Sequence, residues 1–226
     1  MAAPIPPLSA PSTVEAQPTK EHAATMEDAK PIESPAASAG PPLPPTTNIS
    51  IVSGYRPGLI ASTLQMHMDF YYPTEGWGRE FEAGLSTGLG DFLKRLDRPV
   101  NQVWSAIVTV PAADAQSAPV ERIVGTVYID GECSGKEGAA RLRFFIVDDS
   151  ARGLGVGGKL IRAAMEFVKH SGFRDCHLST LHSLTVARRM YEREGFREVG
   201  QVWSEQFGKG FMELKYVWHR PDEKLE

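Results

Sequence analysis

The chain has 226 residues, 42% of them apolar, a formal net charge of −4 and two cysteines, Cys133 and Cys176. Two thiols are too few for a disulfide framework, and no run approaches the roughly eighteen uninterrupted apolar residues of a membrane-spanning helix. Composition therefore predicts a soluble intracellular protein, cytoplasmic or nuclear, with no membrane contact.

Residues 1–47 hold eleven of the seventeen prolines, with Ala, Ser and Thr filling most of the rest. Such a segment cannot bury enough apolar surface to offset its ordering entropy, so a disordered tail is expected over 1–47. It has neither the cationic start and apolar core of a secretory signal nor the Arg-rich pattern of a mitochondrial presequence. Its Lys20 and Lys30 stand against five acids, so about −1 of the charge is left for the rest. That near-neutral balance argues against direct nucleic-acid binding. The remainder, 48–219, has the size of one domain.

The domain opens with an alternating strand, Ile49 to Ser53. A helix should follow Pro57, run through Leu59, Ile60, Leu64 and Met68, and stop at about Tyr72 before Pro73. The aromatic stretch Tyr71, Tyr72, Glu75 and Trp77 then reads either as packing between helices or as a substrate lip. A second helix is expected from Arg79 to about Leu96, with Phe81, Leu85, Leu89 and Phe92 on one face. Three strands in an antiparallel meander come next, Asn101–Val110, Arg122–Ile129 and Ala140–Val147, with a loop over Ala112–Pro119. A glycine-rich turn leads into a helix to about His170, capped by Ser171-Gly172. A short strand (Cys176–Thr180), a helix (Leu184–Arg193) ended by Gly195, and two strands (Phe196–Glu205, Gly210–Trp218) close the domain. The fold class is α+β with a mixed α/β sheet, in the order β-α-α-β-β-β-α-β-α-β-β.

The glycine-rich turn is the most informative stretch. It carries Gly153, Gly155, Gly157 and Gly158 within six residues, between the apolar strand Phe144–Val147 and a helix starting at Val156. Glycines there allow positive φ and close backbone approach, so successive N–H groups converge on one anion, which the helix dipole also favours. A Walker loop is excluded, because Lys159 is followed by Leu160 and not by Ser or Thr. The bare dinucleotide pattern is met by Gly153, Gly155 and Gly158, but no acidic residue ends a second strand about twenty residues on, where Asp175 opens a strand instead. The third pattern is Arg-x-x-Gly-x-Gly, met by Arg152, Gly155 and Gly157. A turn with no ligand is the plain alternative.

Arg152-Gly153-Leu154-Gly155-Val156-Gly157 resembles the acyl-CoA pyrophosphate loop of the GNAT superfamily of N-acyltransferases. Ala187-Arg188-Arg189-Met190-Tyr191-Glu192-Arg193-Glu194-Gly195-Phe196 is similar to a second motif of that superfamily, and the two are separated as they are there. Together with the element order they make the resemblance cover Ile49 to Trp218. The stretch from Leu142 to Tyr191 is particularly similar to the acetyltransferase domains often fused to MarR-type regulators, although the tail occupies the place of any DNA-binding segment. Leu184 departs from the pattern, since many members have Asn there; Ser183 or Thr185 are the substitutes at hand.

The resemblance implies transfer of an acetyl group from acetyl-CoA, as co-substrate, to a primary amine of a small molecule or of a protein. Phe145, Ile146 and Val147 would hold the pantetheine arm, and Arg152, Gly153, Leu154, Gly155, Val156, Gly157 and Gly158 the pyrophosphate. Tyr191 would be the general acid. Glu75, Glu80, Glu82, Glu132 and His182 are candidates for taking the amine proton. No metal is expected, because His177 and His182 lack a third ligand at a recognisable spacing. A catalytically weak acyl-CoA-binding regulatory or interaction module is the second function class, and self-association stays open.

Overall fold

The computed structural model describes residues 42–44, 47–110, 119–132 and 135–221, so the expected tail and the expected loop over 112–119 fall largely outside it. The described elements run β1 (Ile49–Ser53), α1 (Leu59–Glu75), α2 (Arg79–Leu93), β2 (Asn101–Val110), β3 (Val120–Asp130), β4 (Ala139–Val147), α3 (Val156–His170), β5 (Asp175–Leu181), α4 (Thr185–Arg193), β6 (Arg197–Ser204) and β7 (Phe211–His219). A single-turn 3₁₀ helix, Asp149–Ala151, leads into the glycine turn. This is the order read from the sequence.

The strands form one mixed sheet in the order β1-β2-β3-β4-β5-β7-β6. All neighbours are antiparallel except β4 and β5, which run parallel. Helix α3 covers one face: Leu160, Ile161, Ala164, Met165 and Val168, spaced at helical period, bury against Val124, Val127, Ile129, Leu142 and Leu178. Each such side chain contributes about 1.5–3 kcal/mol of transfer free energy. The opposite face is covered by α1 and α2, whose Leu59, Phe81, Leu85, Leu89 and Phe92 pack with Val103 and Tyr128. There the Tyr128 hydroxyl and Thr63 Oγ1 share a buried hydrogen bond of 2.9 Å.

Most boundaries fall within two residues of expectation, and three differ by more. Helix α1 does not stop before Pro73 but carries it in its last turn. A proline so near the end forfeits one ladder bond, Thr74 Oγ1 donates to Phe70 O at 2.7 Å, and the stop comes from Gly76, left-handed at φ 69, whose N–H bonds Tyr72 O. Helix α2 ends at Leu93 and passes into turns, with Leu96 packed against the second core. Leu43, assigned to the tail, packs against the main core, and its N–H bonds Ser150 O at 2.8 Å.

Two irregularities position the site. Strand β4 pairs β3 with Thr126 opposite Ile146 and Tyr128 opposite Arg143, so Val127 faces two residues, Phe144 and Phe145. At this bulge Phe144 takes φ 48, a left-handed conformation that costs a residue with a Cβ about 1–2 kcal/mol. Packing holds it: the Phe144 ring meets Tyr128 edge-on at 5.2 Å and lies 4.4 Å beneath the Arg143 guanidinium. The second irregularity is a fork. β4 pairs β5 only from Ala139 to Arg141, opposite Asp175 to His177, after which the two strands part.

Candidate active site

The fork opens into a cavity of about 1160 Å³, bounded by α1, α2, the C-terminal half of β4, the glycine turn with the start of α3, the end of β5, α4 and the β6–β7 loop. The glycine turn forms one wall because its chain geometry is fixed locally. The Asp148 carboxylate accepts the Ser150 N–H at 2.9 Å and turns the chain, then Gly153 and Gly155 take φ of 77 and 73 before α3 begins. An ideal Cβ on Gly155 would meet nothing within 4 Å, so that glycine is required by its φ; Gly157 is helical, and a Cβ there would stand 3.2 Å from Met190 Sδ. The arrangement fits a phosphate-bearing ligand, since the first backbone N–H groups of α3 lack helical partners.

Of the residues singled out in the sequence for the cofactor, Phe145, Ile146, Val147, Arg152, Gly153, Gly155, Val156, Gly157 and Gly158 line the cavity. Leu154 does not; it packs partly against the main core, as does the Val156 side chain, which is 1% exposed. Arg152 bonds Asp149 at 2.7 Å and lies 4.8 Å over the Phe70 ring at the cavity rim. Ser183, Leu184 and Thr185 all border the cavity at the start of α4.

Tyr191 lines the cavity and is 6% exposed, between Phe145, Phe196 and Tyr216 at 6.1–6.3 Å. Its hydroxyl has no hydrogen-bond partner among the described residues. Burial, and then the neighbouring phenol of Tyr71, push its pKa upward, so Tyr191 keeps its proton at neutral pH.

The predicted substrate lip divides. Tyr71 lines the cavity, and burial followed by the charge of Glu75 raises its pKa. Trp77 borders the cavity but is 3% exposed, stacked on Tyr71 at 4.9 Å and packed against Phe81, Phe207 and Phe211. It belongs to an aromatic wall more than to a lip. Tyr72 is exposed and lies off the cavity, while Glu75 accepts a hydrogen bond from Ser183 Oγ at 3.2 Å and ties α1 to the start of α4.

Among the candidate proton acceptors only Glu80 lines the cavity, where its own N–H and then Arg79 hold its carboxyl below the usual range. Glu82 and His182 are exposed and away from it. Glu132 is removed from the site altogether: it binds Arg95, Arg98 and Asn101, and Arg95 first of these pulls its carboxyl down to about 2. That ion network surrounds the fully buried Asp130, which takes Arg95 at 2.8 Å and Arg143 at 3.1 Å.

His67 is the residue the sequence did not reveal. It lines the cavity from α1, 6% exposed and stacked on Tyr71 at 6.0 Å, and its Nδ1 bonds Thr63 O at 2.8 Å. A carbonyl can only accept, so Nδ1 carries the proton and Nε2 is left as an acceptor. Burial lowers its pKa to about 4. The signal available beforehand was only its place on the helix face of Thr63, Met66 and Phe70, where a histidine packed in the core would look the same. Among the described residues no group of three or more His, Cys, Asp or Glu could hold a metal ion, and no helix is long and apolar enough to cross a membrane.

A forked mixed sheet with a glycine turn at the fork defines the GNAT type of fold. Residues 106–198 match the family model described as "Acetyltransferase (GNAT) domain", from the middle of β2 to the start of β6, leaving out β1, α1, α2 and β7. In the human protein N-acetyltransferase 8B, 153 residues are 25% identical to this chain, covering 64% of this chain and 61% of that protein. Two solved structures share the fold: a GNAT-family acetyltransferase from Staphylococcus aureus Mu50 at TM-score 0.53 and 19% identity, and the ribosomal-protein-alanine N-acetyltransferase of Brucella melitensis at 0.56 and 16%. Each covers 76% of this chain and 99% of its own.

Proposed function

We propose that the chain is an acetyl-CoA-dependent N-acetyltransferase whose acceptor is a primary amine. The observation that carries this reading is the meeting, in one cavity, of the forked β4 edge, the left-handed glycine turn at the start of α3 and the buried, protonated Tyr191.

Bound there, acetyl-CoA supplies the thioester acyl group. The β4 edge beyond Arg141 has no strand beside it on the fork side, so Phe145 to Val147 can offer backbone groups to the pantetheine amides as a partial extra strand. Gly153, Gly155, Gly157 and Gly158 bring backbone close to the pyrophosphate, and the α3 dipole favours its charge. Arg152, exposed at the rim, adds a cation that can leave Asp149 for a phosphate. The amine must arrive with its lone pair free. His67, neutral above about pH 4, accepts a hydrogen bond through Nε2 and orients that lone pair, and Glu80 at the rim is the carboxylate nearest in role for taking the proton to solvent. Tyr191 then donates its proton to the departing sulfur, which leaves more readily as a thiol than as a thiolate.

The test uses the purified full chain. Calorimetry should show acetyl-CoA binding, and a panel of primary amines should include acceptors that release free thiol from it. A chain that binds no acyl-CoA would end this reading.

A further inference from the structure

A second, smaller cavity of about 280 Å³ lies on the sheet where the fork begins, with Lys136, Arg141, His177, Ser179 and Lys215 among its lining residues. Arg141 and Ser179 also line the large cavity, so the two spaces share a boundary. Arg141 faces His177 in the last register pair before β4 and β5 part, which places the small cavity at the foot of the cleft.

Its polar groups are arranged for an anion. Arg141 Nη2 and Lys215 Nζ both donate to Ser179 Oγ, at 3.3 and 3.1 Å, so the hydroxyl's own proton is free to be donated elsewhere. Arg141 has no acidic partner among the described residues, whereas Lys215 is offset by Glu213 at 2.7 Å and Asp175 is taken by His219. His177 Nε2 is buried with no hydrogen-bond partner, a group that calls for a ligand or a water. Burial first disfavours its protonation, Asp175 opposes this, and Lys136, His219 and Arg141 add to the lowering, so the ring is held neutral. The aromatic wall of Trp77, Phe81, Phe207 and Phe211 lines the large cavity, which meets this pocket at Arg141 and Ser179.

We propose that this pocket receives a carboxylate carried by the acceptor, so that the acceptor is an amino acid, or a derivative with a free carboxylate, bearing an apolar side chain. The Arg141 guanidinium takes the carboxylate in its planar fork, Ser179 and the Nε2–H tautomer of His177 complete its hydrogen bonds, and the aromatic wall seats the side chain. The proposal rests on the transferase reading above, but its binding arm stands apart from activity.

The test measures N-acetyl-L-phenylalanine and N-acetyl-L-leucine against their carboxamides by calorimetry on the full chain, together with the KM of the parent amino acids against their amides. The acids should bind at least tenfold more tightly than the amides. Arg141→Gln should remove that preference, and Lys136→Gln, at an exposed turn, should reduce it. Acetyl transfer to amines with equal KM for acid and amide, or calorimetric preference unaltered in both variants, overturns the carboxylate site, as does a failure of every acid to bind. An acid preference that the variants abolish in a protein inactive on every amine supports the pocket and leaves the transferase reading to fall alone.

Discussion

Gly155 and Gly157 sit two residues apart in one turn, yet the structure gives them different reasons to be glycine, and replacing each with alanine separates those reasons. At Gly155 the φ of 73 is the obstacle, with open space around the missing Cβ; alanine should therefore destabilise the fold by about 1–2 kcal/mol, the cost of a left-handed residue with a side chain. At Gly157 the φ is ordinary and the new methyl would lie 3.2 Å from Met190 Sδ and Cε and 3.6 Å from Phe145 Cζ. Met190 ends in a flexible thioether that can give way, and alanine in place of glycine gains up to about 1 kcal/mol of helix propensity, so the melting temperature should change little. The methyl nevertheless projects between β4 and α4, into the cleft. Acetyl-CoA affinity should fall tenfold or more, about 1.4 kcal/mol, in Gly157→Ala, and further in Gly157→Val. Calorimetry with acetyl-CoA and thermal melting of both variants supply the comparison. A folded Gly157→Ala protein with unchanged affinity would refute the cradle and leave the turn a purely structural one.

Tyr191→Phe keeps the ring in its pocket and removes one oxygen, so kcat on the best amine should drop about 10²-fold while acetyl-CoA affinity and melting temperature hold; full kcat in the variant would take the hydroxyl out of the chemistry. His67 titrates near 6.5 in an unfolded chain and near 4 in this fold, so between those values only the unfolded state takes up the proton. Stability is thus complete above about pH 6.5 and falls as pH drops; at pH 4.5 the loss from this residue should be about 2–3 kcal/mol. Urea unfolding at pH 7 and 4.5 should show that increment missing in His67→Gln, and an identical pH slope in variant and parent would contradict it. Deleting residues 1–41 should leave the urea midpoint unchanged, whereas extending the deletion to Thr47 removes the Leu43 packing and its bond to Ser150, for a loss of about 1–2 kcal/mol. Equal midpoints for the two truncations would show that Leu43 contributes nothing.

The element order was legible because punctuation in this chain is strong: Gly54, Gly76, Gly172 and Gly195 stand at the ends of elements in left-handed conformations, and apolar spacing fills the intervals. Pro73 misled because proline forbids a helix interior far more strictly than a last turn. The glycine turn and Tyr191 were found by pattern, since motif residues are close in sequence. The proposed acceptor side was not, because its residues lie far apart in the chain. His67 on α1 and Phe207 in the β6–β7 loop meet on the large cavity, and Arg141, His177 and Lys215 on three strands line the small one only through a sheet order that places β7 between β5 and β6. Glu132 failed as a candidate for the same reason: the β3–β4 turn hands it to Arg95 and Arg98 at the other end of the sheet.

The sheet is in effect two plates. β1 to β4 form one antiparallel ladder and β5, β7 and β6 another, and the seam between them is three register pairs long. Neighbouring strands elsewhere are zipped along most of their length, so mechanical compliance is concentrated at this seam, beneath the cleft. Opening or closing the plates alters the width of the cleft while breaking few backbone hydrogen bonds, so the side chains of the two hydrophobic cores, which bridge the seam, set how far it moves. A ligand lying along the exposed β4 edge and reaching α4 spans the seam as a splint would. Slow hydrogen exchange should therefore spread from the interiors of the plates to the amides of β4 and β5 beside the fork once acetyl-CoA is bound.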